Sequence, residues 1–217
     1  MAGRFFNRIF ATLSYLFFEE ISPKFQADAL KNLMDYIYIL FEKSFHHFDY
    51  FVQLYFMMYD DLIENEIQLA NITKEQNVLV IGCGSLPATS ILLVQKTGAK
   101  IKGIDKDKRA VLQAKKFIES YQLDDRLQFE YTDDLSVDIS SVDVIFIAYG
   151  IKQESFVFEK LGKNISNDMQ IIYRIPFNID EHKVLDSINK TSDFTIEKKV
   201  ITPSMGSTIS LLLKKNS

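Results

Sequence analysis

The chain has 217 residues, 47% hydrophobic and 25% charged, with a formal net charge of −4. That composition is ordinary for a globular protein, and the length allows one domain with an extension or two small ones. The single Cys83 excludes an internal disulfide and any zinc site built on two or four cysteines. With three histidines, two of them adjacent (His46 and His47), no metal site is expected. The acidic balance argues against nucleic acid as a partner, which calls for a basic footprint.

Charge and aromatics are unevenly spread. Residues 1–76 carry 6 basic and 11 acidic side chains, and 17 of the 28 Phe and Tyr fall in the first 59 positions. The expectation is a helical N-terminal cap or substrate segment over residues 1–72, followed by a body over residues 73–217. At the start, Arg4 and Arg8 precede apolar residues, but Asn7, Thr12 and Ser14 interrupt the run and no small-residue cleavage site follows. The run is too short and broken to span a membrane. It reads as an amphipathic helix packed either on the body or on a second subunit, the second case giving a homodimer through the N-terminal helices. The lesser reading is an interfacial membrane helix. A soluble, cytoplasmic protein is expected.

In chain order, helical spacing runs over residues 4–20 and 27–46, broken at Ser22-Pro23, and again over 48–70. The third stripe is Phe48, Phe51, Tyr55, Tyr59, Leu62, Glu66 and Leu69, and Asn71-Ile72-Thr73 ends it. Then Asn77 to Ile81 is a continuous apolar run followed by Gly-Cys-Gly, the pattern of a strand buried on both faces. Alternation follows. Helices are expected over 87–96, 108–121, 154–164 and 180–191, and strands over 99–104, 127–131, 142–148 and 169–174. A last antiparallel pair spans 194–201 and 207–214, at the sheet's edge. Strands alternating with helices imply parallel pairing and right-handed crossovers. The fold class is α/β, a doubly wound Rossmann-like sheet with an antiparallel last strand.

Candidate chemistry gathers after the first strand. Gly82 and Gly84 let the backbone turn sharply and approach a ligand, with Cys83 a small turn residue between them. About twenty residues on, Asp105 ends the next strand where a doubly wound sheet places the acid that accepts ribose hydroxyls. The third glycine of a dinucleotide fingerprint is missing; Leu86-Pro87 stands there. Proline offers no N–H, which makes a poor pyrophosphate site and argues against NAD and FAD. An adenosine ligand without phosphate fits better, and S-adenosylmethionine (SAM) is one. Asp133, in Thr132-Asp133-Asp134 after the third strand, sits where SAM enzymes contact adenine. Ala148, at the end of the fourth strand, completes the candidate cofactor-binding set.

The stretch Gly82-Cys83-Gly84-Ser85-Leu86-Pro87-Ala88-Thr89-Ser90-Ile91 resembles the G-S-G-P-L-P-L-T-S-I signature of nicotianamine synthases. Upstream, Tyr55-Phe56-Met57-Met58-Tyr59-Asp60-Asp61-Leu62 with Glu66 resembles the family's Y-Y-x-x-Y-x-x-L-x-x-x-E helix. Downstream, Val142 to Ala148 is similar to its Y-D-V-V-F-L-A strand, and Ile171-Ile172-Tyr173-Arg174 to its L-M-L-R strand. Phe56 replaces the second Tyr and Ser85 a Pro, and the chain is shorter before residue 50. For the family's upstream glutamate, Asp35 and Glu42 are the candidates.

The resemblance implies the class I SAM-dependent methyltransferase fold with an uncommon reaction on it. An acceptor amine, on a small molecule or amino acid, attacks the γ-carbon of the methionyl portion of SAM. 5′-Methylthioadenosine leaves, and the product is a metallophore-type compound. Methyltransferases commonly carry an acid two residues before the first glycine; here that position is Val80, as in the family. On this reading Glu66 holds the acceptor amine or takes its proton, and Tyr59 orients it or relays the proton. Arg174 pairs either with a substrate carboxylate or with a structural partner. Two alternatives stay open: a small-molecule methyltransferase and a non-catalytic SAM- or adenosine-binding protein.

Overall fold

The computed structural model describes residues 48–119, 125–132, 136–148, 154–176, 179–190, 193–203 and 208–216; side chains of 48–54 and 58 are outside that description. The expected helices over 4–20 and 27–46, the N-terminal dimer surface, and Asp35 and Glu42 lie outside the described residues.

Helix α1 (Phe48–Ala70) leads into β1 (Asn77–Ile81), α2 (Ala88–Thr97), β2 (Lys100–Asp105), α3 (Lys108–Glu119), β3 (Leu127–Tyr131) and β4 (Val144–Ile147). Then come α4 (Glu154–Asn164), β5 (Gln170–Pro176), α5 (Glu181–Ile188), β6 (Phe194–Thr202) and β7 (Thr208–Lys215). Expected ends shift by one to three residues for local reasons. Pro87 is the cap of α2 rather than its first residue. Asp180 caps α5 by accepting the His182 N–H. Helix α1 stops at Asn71, whose φ of 51° is the left-handed geometry asparagine tolerates at a helix end.

The strands form one seven-stranded sheet in the order β3-β2-β1-β4-β5-β7-β6. β1 to β5 are parallel, and β7 runs antiparallel to both β5 and β6. The doubly wound sheet is as expected, with one refinement. β7 is not the edge: it inserts between β5 and β6, pairing Ile171 with Leu213 on one side and Phe194 with Lys215 on the other. Leu211, Leu212 and Leu213 are buried, as a strand inside a sheet requires, whereas β6 shows Lys198 and Lys199 to solvent. Charged side chains on an exposed edge oppose pairing with another chain.

Each central strand buries alternate residues on opposite faces. Val78, Val80, Phe146, Ile172 and Leu212 pack on one face with Ile63 of α1, Ile91 and Leu93 of α2 and Val111 of α3. Leu79, Ile145, Ile147, Ile171 and Leu211 pack on the other with Val157 and Phe158 of α4 and Ile188 of α5. Leu62 and Ile63 of α1 are fully buried, each contributing roughly 1.5–3 kcal/mol on burial. The second half of α1 packs into the body's core through Ile63, Leu69 and Ala70.

Candidate active site

At the carboxyl ends of β1 and β2 the backbone turns twice in close register. Gly82 and Cys83 both donate to the Ile104 carbonyl, at 2.8 and 3.0 Å, which locks the turn after β1 onto the end of β2. Gly84 has φ +68°, which side-chain-bearing residues rarely adopt, and a Cβ built there meets nothing within 4 Å. The turn therefore borders open space. Gly103 serves a different purpose: a Cβ there would lie 2.4 Å from the Phe129 ring, so glycine lets β2 and the Phe129 side chain approach.

Asp105, the last residue of β2, is 4% exposed. Its Oδ2 accepts the Gly84 N–H at 2.9 Å and its Oδ1 the Asp107 N–H at 3.0 Å. Its carbonyl accepts the Thr132 N–H at 3.1 Å. The carboxylate thus ties together the turns after β1 and β2, and the same residue's carbonyl adds the end of β3. A carboxylate oxygen accepts more than one hydrogen bond, so the acid that shapes the turn is also chemically suited to ribose hydroxyls. Leu86 and Pro87 lead from the turn into α2, whose first turn carries no acidic residue and no side-chain cap. Ala148 donates to the Ile81 carbonyl at 3.1 Å, setting the end of β4 beside the end of β1. This is the crevice where the strand order reverses, the usual ligand position in an open α/β sheet. Asp133 lies outside the described residues.

The other expected residues lie on α1. The Tyr55 hydroxyl donates to the Tyr59 hydroxyl at 3.1 Å, with ring centroids 4.8 Å apart. Glu66 is somewhere other than expected. It is fully buried, and Arg174 holds it with a two-pronged contact: Nε to Oε1 at 2.8 Å and an Nη to Oε2 at 2.7 Å. The Ser210 hydroxyl adds a third bond, to Oε1 at 2.7 Å. A carboxylate so engaged holds an arginine. Of the two partners open to Arg174, the structure shows the structural one.

Arg174 is 5% exposed and sits between the Tyr59 and Phe146 rings, 5.9 and 5.8 Å from their centroids. Its remaining Nη donates to the Thr89 hydroxyl at 2.9 Å, at the second residue of α2. Burial pulls the Arg174 pKa down, but the Glu66 charge and hydrogen bonds, with smaller help from Tyr59 and Tyr55, outweigh it and leave the pKa raised. Thr89 and Ser210 were missed in the sequence. A signal for the pair did exist: Glu66 interrupts an apolar stripe and Arg174 is the lone charge in Gln-Ile-Ile-Tyr-Arg-Ile-Pro. Buried Arg and Glu are almost always paired. Among the described residues, no group of three or more His, Cys, Asp or Glu is arranged to hold a metal ion, and no helix is long and apolar enough to cross a membrane.

The family profile described as "Nicotianamine synthase protein" matches residues 25–204. The chain belongs to the nicotianamine synthase family. A curated relative, L-histidine 2-aminobutanoyltransferase of Yersinia pestis, is 27% identical over 125 residues, 55% of this chain and 45% of that one. The chain therefore spans about half the length of the curated relatives it matches. Among solved structures, a glutamate-to-glutamine mutant of MtNAS in complex with S-adenosylmethionine aligns with TM-score 0.65 at 21% identity, covering 81% of this chain and 65% of that chain. An RNA methyltransferase from Salinibacter ruber in complex with S-adenosyl-L-homocysteine aligns with TM-score 0.55 at 18% identity, covering 72% and 92%. These likenesses establish the fold, a Rossmann-like sheet of the SAM methyltransferase kind with its antiparallel strand.

Proposed function

We propose that the chain is a SAM-dependent transferase that moves an aminobutyryl group from SAM to an amine or amino-acid acceptor. Family membership over most of the chain carries the reading. The open turn at Gly84, the acid at Asp105 and the absence of a phosphate-binding third glycine support SAM as co-substrate. The curated relative's name supports an amino acid as acceptor class.

Gly82, Cys83, Gly84, Leu86 and Pro87 form the donor turn, Asp105 takes the ribose, and Asp133 and Ala148 border the adenine side. Bound SAM supplies a sulfonium that activates each attached carbon toward a nucleophile. Which carbon reacts is a matter of placement, since only one held roughly 3–3.5 Å from an aligned amine reacts fast. Val80, in the strand position where a methyltransferase commonly has an acid, is 2% exposed in an apolar core. With no carboxylate there to take the methionyl amino group, the arm is free to lie with its γ-carbon toward the acceptor. The acceptor nitrogen attacks that carbon, the C–S bond breaks with its electrons going to sulfur, methylthioadenosine leaves and the nitrogen loses a proton. Tyr59, bonded to Tyr55, orients the amine or relays the proton. Glu66 acts at one remove, by holding Arg174. The product is a metallophore-type compound, and the reaction is assigned to the cytoplasm.

The test is incubation with SAM and a panel of amino acids, with both coproducts read by mass spectrometry. Methylthioadenosine together with an aminobutyryl adduct is the expected result. S-adenosylhomocysteine would make the chain a methyltransferase, and SAM binding without either coproduct would make it a binding protein.

A further inference from the structure

Arg174 spans several parts of the site's framework. It rises from β5, grips Glu66 of α1 with two bonds, reaches Thr89 of α2 with a third, and shares Glu66 with Ser210 of β7. Thr89 lies five residues after Gly84, at the start of the helix that the donor turn feeds. Glu66 lies two helical turns after Tyr59, on the same face of α1. The guanidinium therefore joins the helix carrying the phenol pair to the helix carrying the donor turn.

A buried charge pair is by itself weak evidence of stabilisation. Removing two charges from water costs about as much as their attraction returns, and well-packed apolar replacements are often neutral or stabilising. What Arg–carboxylate pairing adds is direction: a planar fork held at both prongs fixes one geometry. The Tyr59 ring lies against that fork. We propose that Arg174 is a positioning residue: its Glu66-locked guanidinium sets the spacing between the tyrosine pair on α1 and the donor turn leading into α2, and so aligns the acceptor amine with the carbon it attacks. This rests on the transferase reading above. Transfer is sensitive to such spacing, since a displacement of about 1 Å costs on the order of a hundredfold in rate.

The decisive variant replaces both partners, Glu66→Met with Arg174→Met, so that no buried charge is stranded. The expected result is a folded protein melting at or above the parent's temperature, SAM affinity within about threefold, and kcat lower by roughly a hundredfold with acceptor KM changed far less. A purely structural pair predicts normal kcat in that folded protein. Thr89→Val cuts only the link to α2 and is expected to lower kcat by roughly tenfold at an unchanged melting temperature. A folded double variant with kcat within threefold of the parent overturns the proposal. If the double variant fails to fold, an unchanged kcat in Thr89→Val overturns it alone. A parent that releases no methylthioadenosine with any amine instead removes the transferase reading on which the proposal stands.

Discussion

Beneath α4 and α5 the sheet buries Ile145, Ile147, Tyr173 and Leu211 around Phe158, with no charged side chain among them. Beneath α1 and α2 the same strands, one residue out of phase, bury Arg174 and Ser210 around Glu66. The two faces belong to one sheet, yet among the described residues the buried charges lie on one of them, where an ion pair and its hydroxyl partners cross the core. On the proposal above, the charge on the α1 face serves orientation, and that is the face on which the tyrosine pair and the helix after the donor turn meet.

Substitutions on the two faces should separate these roles. Arg174→Met alone strands a buried carboxylate and should cost about 3–5 kcal/mol of stability. Phe158→Ala on the opposite face should cost about as much, through lost burial and a cavity. Urea denaturation measures both. The faces differ in activity at a temperature where each variant is still folded: Phe158→Ala should keep its kcat and Arg174→Met should not. Equal activity in the two would erase the contrast.

Tyr59→Phe removes one hydroxyl from the charged face. Steady-state kinetics should show kcat lower by roughly a hundredfold, within the range for a positioned acid–base group, with SAM affinity unchanged in calorimetry. Asp105→Ala acts at the strand ends, where the faces meet. It should weaken SAM binding by roughly 1.5–3 kcal/mol through lost charge-assisted hydrogen bonds, and an unchanged affinity would move the donor elsewhere.

The smallest effect is at the surface of the same face. Lys96 of α2 reaches Asp60 and Glu64 of α1 at 3.0 and 3.3 Å. Its pKa is raised above the ordinary 10.5, chiefly by the Asp60 hydrogen bond, against the lowering by burial. A raised lysine pKa stabilises the fold below the unfolded value and loses that contribution as pH climbs through the folded one. Lys96→Met should therefore cost no more than about 1 kcal/mol, constant through neutral pH and vanishing above about 10.5. A loss of stability near pH 7 that grows toward acid would contradict this assignment.

Much of this architecture is legible in the chain. The run Val78 to Ile81 reads as a doubly buried strand because every residue in it is apolar, and the helix stripes reveal which side faces inward. The glycine turn and Asp105 are legible because local backbone geometry and strand ends follow short-range rules. The insertion of β7 between β5 and β6 is not, since which strands pair is decided by long-range packing that no local period encodes. Glu66 shows the same limit. Its place in an apolar stripe marks it as special, but only the fold brings Arg174, 108 residues away, against it.

The most direct test is a crystal structure with SAM bound. Adenosine beside Gly84 and Asp105 with the methionyl γ-carbon turned toward the Tyr55–Tyr59 pair is the predicted arrangement. The S-methyl group turned toward that pair, or adenosine bound away from the turn, would contradict it.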